Sequence, residues 1–190
     1  MSRALTDLQL CNAALVKLGS TPIVSFDDPD AAADIARTLY PLVSDTVLST
    51  HPWSFTLRQA ALTALPTPPM ADFKRRFALP ADFLRALYID NRGAAPRYAI
   101  VGDELQSDAD RVVLTYQARP PEASFPPFFA TALTARLAAE FCIPLTENSS
   151  RAEALDRLAE RELERAWVID RSQDTPPVIA DETLTSVRYR

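Results

Sequence analysis

Apolar residues recur every three to four positions in four stretches of this 190-residue chain, a spacing typical of amphipathic helices. The first stretch starts at a capping-box pattern, in which Thr6 is followed three residues later by Gln9. It ends at Gly19, a residue type that readily adopts the left-handed conformation found just after helices. The sequence therefore predicts a helix here, with an apolar face formed by Leu8, Cys11, Leu15 and Leu18.

The second stretch carries apolar residues along one side and predicts a longer helix. Asp28 is its expected N-cap, and Pro29 fits the first turn, where a backbone N–H is not needed. Pro41 lies inside the pattern and is expected to kink the helix. The helix must stop at His51, because Pro52 disfavours helical backbone in the residue before it.

Two further helices are predicted in the C-terminal half of the chain. One starts near Pro126 or Pro127 and runs to about Cys142, with a break expected at Pro144. The other covers residues 151 to about 169. Opposite its apolar stripe, glutamates and arginines alternate at spacings of three and four residues. We expect that charged side to face solvent.

Between the helical stretches the pattern changes to alternation, which is typical of strands. A proline-rich connector at residues 64–69 precedes this part of the chain. Strands are predicted at 83–89, 98–101, 104–106 and 112–117, with Gly102 and Asp103 as a two-residue hairpin turn. Together these segments predict one small antiparallel sheet.

These elements predict an α+β fold that is mainly α: a helical bundle with an inserted small antiparallel β-sheet and an extended C-terminal tail. Residues 1–63 and 124–171 are assigned to the helical core, and 70–120 to the β-rich subdomain. Residues 172–190 form the C-terminal arm, in which Thr183 to Tyr189 alternates in the manner of a strand. A terminal segment of this kind either lacks fixed structure or pairs with the edge of another chain.

Composition narrows the classes of function. The chain is 47% hydrophobic and carries a formal net charge of −5 at pH 7, with two lysines, Lys17 and Lys74. Nucleic-acid binding draws its affinity from clustered cations, so this balance argues against it. No uninterrupted apolar run approaches the ~20 residues that cross a bilayer, and we expect no membrane contact. Cys11 and Cys142 stand among apolar residues, which favours buried thiols over a metal site.

Candidate catalytic residues are few. His51 is the single histidine, and its place before a proline favours a hydrogen bond to backbone over proton transfer. Acidic pairs occur at Asp27 with Asp28, Asp103 with Glu104, and Asp108 with Asp110. Such pairs can serve glycoside hydrolysis or hold a hard cation, but turns and helix starts are rich in acids for capping reasons alone. We expect no catalytic residue, metal or cofactor, and keep a cell-wall hydrolase using paired carboxylates as an alternative.

One basic cluster is flanked by aromatic residues: Lys74, Arg75 and Arg76 lie between Phe73 and Phe77. A cluster of this composition can stack against single-stranded nucleic acid. It can also form a contact between subunits, to which Arg85 would add a further charge. We favour the subunit contact.

Residues 51–55 place His51, Pro52, Trp53 and Phe55 at the end of the second helix, and predict a packing corner in which the aromatic rings are buried. This corner is one of three segments that carry a resemblance to a known family. The segments are LCNAAL at 10–15 with Leu18 and Gly19, LYP at 39–41 leading to HPWSF at 51–55, and FALPADFLR at 77–85. In this order they resemble the head-to-tail adaptor family of tailed bacteriophages, which includes the tail tubular protein A type. The match covers about the first half of the chain, and beyond it the likeness is architectural.

The resemblance implies a structural virion protein without enzymatic activity. Adaptors of this family form a twelve-fold ring between the portal and the tail, so the expected partners are further copies of the chain, the portal protein and a tail or nozzle protein. Double-stranded DNA would pass through the lumen without specific binding, and few arginines are expected to face it. The expected location is the virion neck, after assembly in the host cytoplasm.

By the same resemblance, the C-terminal arm is the portal-docking element, with contacts expected from Val178, Ile179, Leu184, Val187 and Tyr189. The strand region from Tyr98 to Gln117 is the candidate face for the next tail component. A helical regulatory module that dimerises through residues 151–169 is a second alternative, beside the hydrolase.

Overall fold

The computed structural model describes residues 5–90 and 96–173. Within these residues the fold is mixed α/β, with four α-helices and two small antiparallel sheets. The helices are α1 (Asp7–Lys17), α2 (Ala31–Thr50), α3 (Pro127–Thr146) and α4 (Ser149–Arg171). The strands are β1 (Leu57–Ala61), β2 (Arg75–Ala78), β3 (Phe83–Asp90), β4 (Tyr98–Val101), β5 (Glu104–Ser107) and β6 (Val113–Ala118).

Both ends of α1 are confirmed as predicted. The Gln9 N–H donates to Thr6 Oγ1 at 3.2 Å, and the Thr6 N–H donates to Gln9 Oε1 at 3.3 Å, which completes the capping box. At the other end Gly19 has a φ of +76°, and the Ser20 N–H donates to the Leu15 carbonyl at 3.0 Å. This is the Schellman arrangement, in which a left-handed glycine lets the chain satisfy the last carbonyls of a helix.

The predicted start of α2 was wrong by two residues. Its N-cap is Asp30, while the Asp28 carboxylate accepts hydrogen bonds from the N–H groups of Val24 at 2.8 Å and Ser25 at 3.0 Å. Asp28 therefore closes a turn before the helix, a local bond that competes with capping. Pro41 lies inside α2, and the helix continues beyond it.

The helix α3 lies at the centre of the helical layer and packs against α1, α2 and α4. Its fully buried large side chains are Phe129, Leu133, Leu137 and Phe141. The break predicted at Pro144 was wrong, because the helix runs on to Thr146. Pro144 falls in the last turn, where the missing N–H costs one backbone hydrogen bond. The helix ends at Glu147, which adopts the left-handed conformation with a φ of 52°.

Among the described residues, α3 has the length and composition that would allow a helix to cross a membrane, with a mean hydropathy of 1.4. However, 56% of the residues in its most apolar 18-residue stretch are buried inside the fold. Its central position among three other helices accounts for its apolar composition.

The two sheets have the strand orders β1-β6-β3 and β2-β5-β4. In the second sheet Val101 lies opposite Glu104, so Gly102 and Asp103 form a two-residue turn, and Gly102 has a φ of +62°. The predicted hairpin is thus confirmed. In the first sheet the pairing of β3 with β6 shifts register at two places along β3.

The prediction of one inserted sheet was wrong, because β1 and β2 were not foreseen. The β1 sequence Leu-Arg-Gln-Ala-Ala is poor in strand-forming residues, and its extended conformation comes from pairing along its whole length with β6. β1 also lies within residues 1–63, the segment assigned to the helical core. The sheets therefore draw on chain from both sides of the expected boundary.

The described residues bury two apolar clusters. The larger one lies among the helices and includes Trp53. The smaller one is contributed by both sheets, through Phe77, Ile89, Leu105, Leu114 and Tyr116. The chain passes from the helical layer to the first sheet through a short turn at Ser54–Thr56, so the aromatic corner connects the helices to this sheet.

Candidate functional site

Residues 51–55, the aromatic corner, are the first candidate site. His51 leaves α2 in an extended conformation, with a φ of −127° and a ψ of 153°. Two residues later Trp53 is fully buried, and its indole N–H donates to the Val47 carbonyl at 3.0 Å. A buried indole N–H requires an acceptor of this kind. The ring is thereby fixed against the last turns of the helix that it follows.

Aromatic rings from α3 and from the residues just before it close around the corner. The Phe129 ring lies edge-on to Trp53 at a centroid distance of 5.1 Å and to Phe55 at 4.9 Å. Phe125 approaches the same ring at 4.9 Å. Edge-to-face pairs of this kind add stability beyond the burial of area. The corner is therefore a packing element between α2, the start of the first sheet and α3.

His51 lies on the outer side of the corner, against the end of α4. Its imidazole stacks on the Trp167 ring at 5.0 Å with an interplanar angle of 15°, and the Arg171 guanidinium covers Trp167 at 5.0 Å. Burial lowers the pKa of His51 below its ordinary value of 6.5, and the positive charge of Arg85 lowers it further. His51 is thus a neutral stacking partner near neutral pH.

A buried carboxylate joins α4 to the corner. Asp170 is 4% exposed, and its carboxylate accepts from the Ser54 N–H at 2.8 Å and from the Ser54 hydroxyl at 2.6 Å. Charge-assisted bonds of this length are among the stronger hydrogen bonds in proteins. The end of the last helix is therefore held at the start of the 3-10 turn that leads into β1.

A buried glutamine joins the first sheet to the same place. Gln117 on β6 directs its Nε2 at the carbonyls of His51 at 2.6 Å and Leu48 at 3.0 Å, and at Thr56 Oγ1 at 3.1 Å. The Leu48 carbonyl lies in the last turn of α2 and the His51 carbonyl at its C-cap, where carbonyls lack helical partners. Gln117 thus satisfies acceptors that the end of the helix would leave buried and unpaired.

Sequence reasoning missed Ser54, Gln117 and Asp170. A signal for Asp170 was present, because it continues the spacing of the buried residues Ala159 and Ala166 on α4. An acid on an apolar stripe indicates a buried partner. Gln117 lies between the buried residues Tyr116 and Ala118 on β6, and nothing in the sequence marked its role.

The basic cluster is largely paired within the chain. Arg75 contacts Asp110 at 2.7 Å, and Arg76 contacts Glu104 at 3.0 Å. The backbone N–H of Lys74 donates to Asp108, while its amine has no ion-pair partner among the described residues. Arg85 lies apart from this cluster and donates to the Ser49 carbonyl at 3.0 Å, near the end of α2.

The structure places the predicted acidic pairs in local contacts. Asp108, Asp110 and Glu104 bind the basic cluster, as described above. Asp27 lies 3.8 Å from the Arg37 guanidinium, and Asp28 closes its own turn. Within residues 5–90 and 96–173, no group of three or more potential ligands is arranged to hold a metal ion.

Cys11, Tyr40 and Cys142 are ionisable residues buried in the helical cluster. Burial raises the pKa of the Cys11 thiol to about 12, with a smaller contribution from the negative charge of Asp7. Burial also raises the pKa of Tyr40, whose hydroxyl donates to Glu122 at 3.1 Å. Cys142 is likewise buried and free, so the prediction of two buried reduced thiols is confirmed.

The predicted portal-docking residues lie outside the described residues. They are Val178, Ile179, Leu184, Val187 and Tyr189.

Comparison with known proteins found no match that indicates a function. No protein-family model matches the chain, and no curated protein matches it.

Proposed function

We propose that this chain is a structural adaptor that joins the head of a tailed phage particle to its tail, and that it has no enzymatic role. The observation that supports this most is the burial of the segments that carry the resemblance. Leu10, Cys11, Leu15, Trp53 and Phe77 are each at most 1% exposed. These segments form the packed frame of the subunit, which suits a protein whose task is to hold a shape.

The pairing of the charged groups also favours a structural role. Asp170 is bound to Ser54, and Glu104 and Asp110 are bound to arginines. A general acid or base must reach a substrate with a free protonation site. Carboxylates engaged in this way serve to fix the fold.

In the proposed subunit, an α+β fold that is mainly α ends in an extended C-terminal arm. The arm follows α4 and docks on the portal protein. Its proposed contact residues are Val178, Ile179, Leu184, Val187 and Tyr189.

Copies of the subunit close into a ring, twelve-fold by the resemblance, through a contact repeated by rotation. Lys74 and Arg85 have no acidic partner among the described residues and are our candidates for that contact. The region 98–117, with the β4–β5 hairpin, is proposed to meet the tail or nozzle protein. The ring stands at the virion neck after assembly in the host cytoplasm.

Double-stranded DNA passes through the proposed ring without specific binding. The net charge of −5 supports this, because an acidic or neutral lumen repels a polyanion over roughly a Debye length of 8 Å at physiological salt. The proposal places few arginines on the lumen wall.

Electron microscopy of mature particles with a labelled copy of the chain tests this function. We expect label and ring-shaped density at the neck. Particles without such density would contradict the proposal. Turnover of peptidoglycan by the purified chain would instead support the hydrolase, and a stable dimer through α4 in light scattering would support the regulatory module.

A further inference from the structure

The outer edge of β1 offers unpaired backbone groups. β1 pairs with β6 on one side, and within the described residues no strand lies on its other side. The Leu62 N–H donates to the Val112 carbonyl at 3.0 Å. Ala60 and Arg58, two and four residues before Leu62, therefore also direct their backbone groups at β6, where they lie opposite Leu114 and Tyr116. Because such bonds alternate along an antiparallel pair, the N–H and C=O groups of Gln59 and Ala61 face away from β6.

Other sheet edges are covered or interrupted. The outer edge of β2 is bonded to residues 63–65, through Leu65 N–H to Arg76 and Ala78 N–H to Thr63. The pairing of β3 is broken by two shifts of register, and irregularities of this kind discourage further pairing. β4 follows residues 91–95, which lie outside the described residues. β1 is regular along its length, with Gln59 and Ala61 exposed.

The chain leaves α4 close to the start of β1. Asp170 is held at 2.8 Å from the Ser54 N–H, and β1 begins three residues after Ser54. Residues 174–182 then span up to about 30 Å when extended, whereas a strand of five residues is about 17 Å long. The segment Thr183–Tyr189 can therefore reach any part of β1 from the end of α4.

The composition of that segment fits a strand at the edge of a sheet. Leu184, Ser186 and Arg188 alternate with Thr185, Val187 and Tyr189. Ala60 on β1 and Leu62 just after it both pack against the sheet cluster and are both only partly buried. An added strand would cover both and pair the free backbone groups.

We propose that, in the free chain, the segment Thr183–Tyr189 adds to the outer edge of β1 of the same molecule. The contact blocks a sheet edge that would otherwise pair with other chains. Docking of the arm elsewhere would first release it. This inference concerns the chain in isolation and does not depend on the adaptor function.

Amide hydrogen exchange on the full-length free chain tests the contact. We would compare the unaltered protein with the double variant Thr185→Pro and Ser186→Pro, since adjacent prolines remove an N–H on both sides of a strand. The matched control carries Ala180→Pro and Asp181→Pro, outside the segment. The amides of Arg58 and Ala60, which face β6, report whether the sheet itself stays folded.

We expect the amides of Gln59 and Ala61 to exchange at least about tenfold faster in the segment variant than in the unaltered chain or the control. Equal exchange in all three proteins would overturn the proposal. Protection that disappears on dilution would also overturn it, because the strand would then come from a second copy. The assay contains no portal protein, so its result is separate from any test of the adaptor role.

Discussion

The Asp170 carboxylate accepts two hydrogen bonds from Ser54, one from the backbone N–H at 2.8 Å and one from the hydroxyl at 2.6 Å. The two residues are 116 positions apart in the chain. Their contact holds the end of α4 against the aromatic corner, beside the stacked rings of His51 and Trp167. The end of α4 is thus anchored to the buried aromatic corner.

Replacing Asp170 tests this anchor. We expect Asp170→Ala to lower the free energy of unfolding by about 2–3 kcal/mol, because it leaves the Ser54 N–H without its charged acceptor. Asp170→Asn keeps one acceptor oxygen and should lose less. Urea denaturation measures both, with Glu160→Ala on the exposed side of α4 as a control expected to change stability by less than about 0.5 kcal/mol. Equal effects of Asp170→Ala and the control would show that the contact is unimportant for stability.

Truncating the central ring of the corner should be more damaging. Trp53→Ala removes a fully buried indole, and we expect a loss of about 3–5 kcal/mol in the free energy of unfolding. Met70→Ala, at a fully exposed methionine, is the matched control and should have little effect. If Trp53→Ala kept the unaltered Tm but abolished attachment to heads, Trp53 would belong to an interface instead of the core.

The stability of the chain should depend on the protonation of His51. The pKa of His51 is lowered in the folded state, so between that value and 6.5 the unfolded chain binds more protons. The contribution of neutral His51 to the free energy of unfolding is therefore fully present above about pH 6.5, and it is lost as the pH falls below that value. We expect the difference in unfolding free energy between neutral and mildly acidic pH to shrink in His51→Gln. An unchanged difference would mean that His51 does not contribute.

The ion pairs of the basic cluster should suppress nucleic-acid binding. Glu104→Gln together with Asp110→Asn frees Arg76 and Arg75, and we expect this variant to bind a single-stranded oligonucleotide more tightly than the unaltered chain at low salt. Fluorescence anisotropy across a salt series measures the change. The matched control is Asp103→Asn. It removes a carboxylate that is not paired with an arginine among the described residues, so it frees no positive charge. Tight binding by the unaltered chain would contradict the view that the cluster is neutralised.

The sequence predicted those elements whose signals are local. The capping box of Thr6 with Gln9 and the turn at Gly102 depend on residues within a few positions of one another, and both are confirmed. The aromatic corner followed from Pro52, which forces the chain out of the helix. The two buried thiols followed from their apolar neighbours.

The elements that the sequence did not predict depend on distant partners. β1 is a strand because β6 lies beside it, 56 residues away at Gln59 and Thr115. Asp28 was expected to cap α2 but found nearer backbone donors in Val24 and Ser25. The bonds of Asp170 and Gln117 join segments that only the folded chain brings together. No local pattern specifies such contacts.

The most direct measurement of the adaptor role is attachment to DNA-filled heads that lack a neck. The full chain and a chain without residues 178–190 are each mixed with such heads, and bound protein and retained DNA are quantified. We predict that both proteins fold, and that the full chain alone binds the portal and retains the DNA. Capping of the heads by the shortened chain would contradict docking through the arm, and failure of the full chain to bind would contradict the adaptor function itself.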